Sequence, residues 1–183
     1  LRNIYFSALI GTATLTMAWF AQPIFQRMEL PIEWFGITWS ALNLTAGFTA
    51  AMAHRIERNL GQTWSIIVIG ILIPLGYLFA APLYGYAALI VLFLFYIVRG
   101  FATPVLKDYI HRMADSGRRA TILSIRNFII RLNFAFIGPL LGWYTDTFTL
   151  RQALTLAGIL FLTLSLLTLV LFILALKSPK SQS

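Results

Sequence analysis

The chain consists of six long apolar stretches separated by short polar or charged breaks. We place them at about residues 4–25, 34–53, 64–82, 86–106, 120–143 and 152–176, followed by a polar tail at 177–183. Each has about the 20 apolar residues that a membrane-spanning helix needs. Barrel strands alternate over about 10 residues, so an outer-membrane barrel is excluded. The pattern predicts an all-α membrane protein with one six-helix transmembrane domain.

Local signals mark the ends of several predicted helices. Pro23 is expected to interrupt the first span near its end, and Pro82 to close the third. Thr149 and Gln152 have the spacing of a capping box, which predicts the start of the sixth span. Tryptophans, Trp39 among them, lie near predicted span ends, as in an aromatic belt. Because the breaks are short, neighbouring spans are expected to run antiparallel.

Most basic residues fall on one side of this map. Nine lie there, and they are Arg2, Arg55, Arg58, Lys107, Arg112, Arg118, Arg119, Lys177 and Lys180. The other side has Arg27 and Arg151. Cytoplasmic segments of membrane proteins carry such an excess, so both termini are predicted to be cytoplasmic. The formal net charge of +8 is therefore an orientation signal and does not indicate nucleic-acid binding.

The amino-acid composition excludes several classes of protein and of functional site. With 59% hydrophobic and 11% charged residues, the chain is unlike soluble domains, which are roughly 25% charged. It has no Cys, and its two histidines, His54 and His111, have no second ligand at metal spacing. No nucleophile motif of an intramembrane protease and no Asp cluster of a lipid transferase is present. We expect no metal, no cofactor and no enzymatic activity.

Polarity follows a period of three spans. Spans one, two, four and five carry polar side chains at depth, whereas spans three and six carry few. Deep polar groups must face protein or a water-filled cavity. The pattern predicts two three-helix repeats, with the third and sixth spans outside and able to face lipid all round.

Two arginines are predicted near the middle of the bilayer. Arg131 lies 12 residues beyond Arg119, or about 18 Å, and Arg99 lies 13 residues from Tyr86, or about 20 Å. A centred Arg costs at least about 2.5–3.5 kcal/mol, and no acidic residue lies at that depth. One hypothesis is that the two side chains bind an anionic or polar substrate group. The other is that they have a structural role, in ion pairs or in hydrogen bonds to backbone carbonyls. Arg126, about 10 Å inside, is expected to snorkel.

Helical spacing separates two stripes on span five. One holds Ser124, Asn127, Arg131, Ala135, Gly138 and Gly142, and the nearly opposite one holds Arg119, Arg126 and Asn133. We predict that the first stripe lines a cavity or a mobile interface. Its glycines and Pro139 allow either close helix packing or a bend. Gln22 in span one and Asn43 in span two complete the predicted substrate-binding residues, with Arg131, Arg99 and Asn127.

The chain resembles the C-terminal half of a major facilitator superfamily (MFS) transporter over nearly its whole length. The segment from Gly47 to Gly61, with Arg55 and Arg58, is similar to the family's loop signature between its second and third helices. The run Arg119-Ala-Thr-Ile-Leu-Ser124, followed by Arg131 and Gly138-Pro139-x-x-Gly142-x-x-x-Asp146, is similar to the eleventh helix of drug-efflux-like and sugar-efflux-like bacterial members.

The resemblance implies that the spans correspond to helices seven to twelve of such a transporter. Helices seven and ten would line a central cavity, eight and eleven would contact the other half, and nine and twelve would lie outside. It implies secondary active transport by a rocker switch in a multi-pass protein of the bacterial inner membrane. Gly138, Pro139, Gly142, Arg55, Arg58 and Gly61 would then act in gating or at the moving interface.

The partners expected from this reading are a small polar or amphiphilic solute, the lipid bilayer and a second six-helix unit. The second unit is an N-terminal half or another copy of this chain, and a start at Leu1 favours a piece of a longer protein. A non-transporting receptor or assembly subunit on the same fold is the main alternative, and an intramembrane enzyme is the second. Substrate identity, direction and coupling ion stay open.

Overall fold

The computed structural model describes residues 2–113 and 116–176. Six α-helices and one short 3₁₀ helix make up this part of the chain. They are α1 (Arg2–Arg27), α2 (Ile32–Leu60), α3 (Gln62–Ala80), α4 (Gly85–Met113), the 3₁₀ helix (Ser116–Arg118), α5 (Arg119–Thr147) and α6 (Leu150–Leu176). Each predicted span overlaps one α-helix, and the predicted tail at 177–183 lies outside the described residues.

Helix ends follow the local signals in part. Thr149 caps α6 as predicted, because its hydroxyl accepts from the Gln152 backbone N–H at 3.2 Å. The Gln152 side-chain oxygen accepts from the Thr149 hydroxyl at 3.0 Å, whereas in a full capping box it would accept from the Thr149 backbone N–H. Pro23 does not interrupt the first helix, since α1 continues through it to Arg27. α3 ends at Ala80, slightly before Pro82.

Five helices, α1, α3, α4, α5 and α6, are long and apolar enough to cross a membrane. These helices indicate a membrane protein. α2 is as long as α4 and α5 but does not join this set, because polar side chains such as Ser40 and Asn43 interrupt its apolar sequence.

Many hydroxyl groups in these helices are satisfied without a second helix. The Thr12, Thr16, Thr45 and Thr103 hydroxyls donate to carbonyls four residues earlier in their own helices, at 2.9–3.0 Å. Such bonds are favourable in an apolar environment, where no water is available to an open hydroxyl. A threonine within a predicted span therefore does not by itself mark a cavity.

The helices form a bundle with two distinct ends. Short turns connect α1 to α2, α3 to α4 and α5 to α6 at one end, which we call the hairpin end. The α2–α3 and α4–α5 connections lie at the opposite, basic end, which contains Arg55, Arg58 and Arg112. α5 runs parallel to α1, because Arg126 contacts Ser7 and Asn133, further along α5, contacts Thr12, further along α1.

α1 occupies the centre of the bundle and packs against α3, α4, α5 and α6. α3 also packs against α4 and α6, and α2 packs mainly against α4. The prediction that the third and sixth spans face lipid all round is therefore wrong, since α6 also packs on α1 and buries Phe161. Ile69, Ile73 and Tyr77 on α3 are fully buried, and the Tyr77 hydroxyl donates to the Ala13 carbonyl of α1. Apolarity alone could not show this, because a helix core and a lipid-facing surface select the same side chains.

α2 and α5 have the least coverage from the rest of the chain. Among the described residues of α5, only Arg126 and Leu141 are buried. Large apolar side chains are exposed along both helices, and they include Ile37, Leu44, Phe48, Phe128, Phe136 and Leu140. These two helices thus present broad surfaces that no described part of the chain covers.

The backbones of α2 and α4 approach each other closely. A Cβ atom added to Gly100 on α4 would lie 2.3 Å from the carbonyl oxygen of Ala46 on α2. Only a glycine allows backbones to come this close. This contact places the middle of α4, including neighbouring Arg99, directly beside α2.

Candidate functional site

An open cavity of about 710 Å³ lies between α1, α2 and α4, and we call it the Arg99 cavity. Its lining residues are Leu15, Ala18, Trp19, Gln22, Phe25, Ile32, Phe35, Gly36, Trp39 and Arg99. The α1 and α2 residues come from the segments of those helices nearest the hairpin end. The cavity volume falls within the range of about 300–1,000 Å³ that is usual for small-molecule sites.

Arg99 is the charged residue of this lining. It lies 14 residues from Gly85 and 14 from Met113, about 21 Å from either end of α4. Its guanidinium carbon lies 4.9 Å from the centre of the Tyr96 ring, a cation–π contact. Arg99 has no ion pair within the described residues. The structure thus holds a cation at mid-helix with an aromatic ring as its nearest support.

Two polar atoms beside this cation have unused hydrogen-bonding capacity. Arg99 Nη1 and Tyr96 Oη are both buried, and neither has a hydrogen-bond partner among residues 2–113 and 116–176. A buried polar group without a partner costs about 1–3 kcal/mol, and a charged one costs more. Of these two residues only Arg99 lines the cavity, so a ligand there would recover this free energy through the guanidinium.

Aromatic side chains form much of the remaining wall. Phe25 and Phe35 meet edge to face with 5.4 Å between ring centres, and Trp39 meets Tyr96 in the same manner at 6.5 Å. Trp39 therefore lines the cavity, seven residues into α2, rather than serving only as a belt residue. Trp19 lines the cavity from α1, and 67% of its surface is exposed.

Gln22 is the second predicted binding residue that the structure brings to this cavity. It lies five residues before the end of α1, about 7.5 Å from the hairpin end, and is exposed. Gln22 and Arg99 thus lie at different depths of the same cavity. The cavity offers a deep cation and a shallower amide between aromatic walls.

Asn43, Asn127 and Arg131 do not line the Arg99 cavity. Asn43 is exposed on α2 and donates to the Trp39 carbonyl of its own helix at 2.9 Å. Asn127 is exposed on α5, where its side-chain oxygen accepts from Arg126 at 3.1 Å. Arg131 is exposed near the middle of α5, and nothing in the described ranges gives it a hydrogen bond or an ion pair. These residues lie on the uncovered surfaces of α2 and α5.

The prediction that Arg126 snorkels is wrong. Arg126 is 5% exposed, and its Nε atom donates to the Ser7 hydroxyl at 2.5 Å. Its Nη2 atom donates to the Ser7 carbonyl at 3.3 Å. Asn133, on the same stripe, contacts Thr12 at 3.5 Å. Because this stripe packs against α1, Arg126 is held inside the bundle while the Arg131 stripe faces outward.

The Gly138–Gly142 segment lines a second groove, of about 380 Å³, between α1 and α5. α5 continues through Pro139 as one helix to Thr147. A Cβ atom at Gly138 would meet the Phe134 ring of its own helix at 3.0 Å, whereas at Gly142 it would meet no described atom within 4 Å. No other described helix packs tightly on these glycines.

The loop residues predicted for gating lie at the basic end. Gly61 has a φ of +76° between α2 and α3, a left-handed conformation that favours glycine. Arg55 and Arg58 are exposed on the last turns of α2. The described residues give neither arginine an ion pair. The structure therefore explains Gly61 by local geometry and places both arginines on the surface.

A buried acidic group beside these residues was missed by the sequence reasoning. Glu57 is 9% exposed, accepts a hydrogen bond from Tyr109 on α4 at 3.0 Å, and lies 3.8 Å from Arg112. Arg112 also pairs with Asp108 at 2.5 Å. Glu57 lies in a charged segment that the sequence predicts as a loop. Hydropathy does not show which carboxylate of such a segment packs against a neighbouring helix.

Comparison of the chain with known proteins finds no matching family model and no match among curated proteins.

Proposed function

We propose that this chain is one six-helix half of a secondary active transporter for a small polar or amphiphilic solute. The observation that carries the proposal is the Arg99 cavity, in which an arginine at mid-helix lines a space of ligand size and has a buried nitrogen without a hydrogen-bond partner among the described residues. Ionisable residues at such depth commonly mark a substrate or ion pathway. The MFS resemblance supplies the mechanism proposed here, alternating access by rocking of two halves in a bacterial inner membrane.

The pattern of helix packing supports two three-helix repeats. Exchanging α1, α2 and α3 with α4, α5 and α6 maps the pair α1–α5 onto α4–α2, and α1–α6 onto α4–α3. It maps α2–α3 onto α5–α6, and it leaves α1–α4 and α3–α6 unchanged. The pairs α1–α3 and α4–α5 would map onto α4–α6 and α1–α2, which pack weakly at most. Most of the packing is therefore compatible with a pseudo-two-fold relation between the two halves of the chain.

The uncovered surfaces of α2 and α5 support a second six-helix unit as the partner. Lipid alone suits the exposed parts of α6, where the polar side chains Thr155, Thr163 and Thr168 bond to their own helix. It does not suit Arg131 or Asn127, which are exposed on α5. A partner that covers α2 and α5 would remove these groups from lipid. It would also close the open side of the Arg99 cavity.

Transport can be tested with the full-length protein reconstituted in liposomes. We would measure counterflow of a panel of radiolabelled small acids, neutral solutes and amines, and then repeat it for the transported solutes with Arg99→Gln, Arg131→Ala and Arg151→Gln. Arg99→Gln should reduce flux at least tenfold, because the deep cation is lost. Arg131→Ala should also reduce flux. Arg151 is exposed near the hairpin end, outside the cavity, so Arg151→Gln should leave flux unchanged.

Two results would contradict the proposal. Equal flux in wild type and Arg99→Gln would remove Arg99 from the pathway. Saturable binding of a solute without counterflow would favour the non-transporting receptor instead.

A further inference from the structure

We infer that the Arg99 cavity selects a monocarboxylate with a flat, apolar body, the carboxylate lying at Arg99 and the body between the aromatic walls. This inference rests on the proposed function in taking the cavity as the substrate site. It goes further by naming the chemical class of the ligand.

The charge on the part of the cavity that this chain lines favours a ligand with a single negative charge. Arg99 is the one cation among the lining residues, and no carboxylate lies among them. A monoanion would neutralise it, whereas a dianion would leave an uncompensated charge in an apolar site, which is costly. A cationic ligand would face Arg99 without any acidic counterpart.

The geometry of the donor favours a carboxylate. A guanidinium presents its N–H groups as a planar fork that matches the two oxygens of a carboxylate. Arg99 is supported by the Tyr96 ring at 4.9 Å, and its buried Nη1 has no hydrogen-bond partner in the described part of the chain. A carboxylate bound at Arg99 can accept from two N–H groups of this fork.

The walls favour a flat, apolar body. Trp19, Trp39, Phe25 and Phe35 line the cavity on the side of Arg99 toward the hairpin end. Aromatic rings contribute large apolar area and pair with one another edge to face or offset, so a flat aromatic body suits this wall. A ligand with its carboxylate at Arg99 would extend past these rings toward Gln22.

The test measures binding by isothermal titration calorimetry on the purified full-length protein in detergent. The probes are 2-naphthoate, its neutral analogue 2-naphthamide, and acetate, which has the carboxylate without the rings. The acid should bind at least tenfold more tightly than the amide. Acetate should bind at least tenfold more weakly than naphthoate, because it buries little apolar area.

Variants assign these preferences to the cavity. Arg99→Gln should weaken naphthoate binding about 10- to 100-fold and leave naphthamide binding unchanged, since it removes hydrogen bonds to a charged group. Arg99→Lys should weaken naphthoate binding less than Arg99→Gln does, because lysine keeps the positive charge but lacks the planar N–H groups of arginine. Trp19→Ala should weaken both ligands. Trp143→Ala, at an exposed tryptophan outside the cavity, should weaken neither.

Equal affinity of the wild type for acid and amide would overturn the inference, as would an acid preference that survives Arg99→Gln. Thermal melts of each variant in the same detergent show whether it is folded, and Arg99→Lys keeps the test decisive if Arg99→Gln is unstable. Naphthoate binding without counterflow would refute transport and leave the ligand class supported. Arg99-dependent flux of other solutes, without preference for the acid, would refute only the ligand class.

Discussion

The contact between Gly100 and Ala46 allows a direct test of how α2 is held against α4. In Gly100→Ala, the new Cβ atom would lie 2.3 Å from the Ala46 carbonyl oxygen and 2.8 Å from its Cα atom. Real Cβ atoms essentially never approach other heavy atoms to less than 3.0 Å. The helices must therefore separate by about 0.7 Å or more. Because both atoms in contact belong to backbone, no side-chain rotation can relieve the overlap.

The magnitude follows from two opposing effects. Overpacking of a tight interface costs about 1–3 kcal/mol. Replacing glycine with alanine inside a helix favours folding by about 1 kcal/mol. Gly47→Ala is a matched control on the facing helix, since its Cβ atom would meet no described atom within 4 Å. Both variants gain the same helix propensity, so the difference between them isolates the steric cost.

We expect Gly100→Ala to be less stable than Gly47→Ala by about 1–3 kcal/mol in free energy of unfolding. The measurement is reversible unfolding in mixed micelles of mild detergent and SDS, followed by circular dichroism. Gly11→Ala should fall between them, because its Cβ atom would meet the flexible end of the Ile130 side chain at 2.3 Å. Equal stability of Gly100→Ala and Gly47→Ala would refute the close helix contact.

Two further predictions concern buried polar contacts. Ser7→Ala should destabilise the protein by about 1–3 kcal/mol in the same unfolding assay, because the buried Arg126 Nε atom loses its acceptor. An unchanged free energy of unfolding would mean that water or lipid reaches Arg126. Tyr109→Phe should cost about 1.5–3 kcal/mol, since it removes a hydrogen bond to the buried Glu57 carboxylate. Tyr86→Phe, at an exposed tyrosine, should cost nothing measurable, and an equal loss in both variants would argue against the Glu57 contact.

The sequence predicted the features that depend on position along the chain. The number of helices and their approximate limits follow from hydropathy, since a membrane requires long apolar segments with internally bonded backbone. The N-cap at Thr149 is a local signal, and the structure contains its bond to the Gln152 backbone N–H. The mid-helix position of Arg99 follows from counting residues. The absence of acidic residues from its depth is equally visible in the sequence.

The tertiary structure decided which residues meet. Gln22 and Arg99 line one cavity because α1, α2 and α4 converge there, whereas Asn43 and Arg131 point to surfaces that the described chain leaves uncovered. Arg126 is buried and Arg131 is exposed because the side of α5 that carries Arg126 packs on α1. A polar side chain has the same hydropathy on either side of a helix, so the hydropathy pattern does not show which side is buried. The partner of each side chain depends on helix rotation and packing distance, which close contacts such as Gly100 on Ala46 determine.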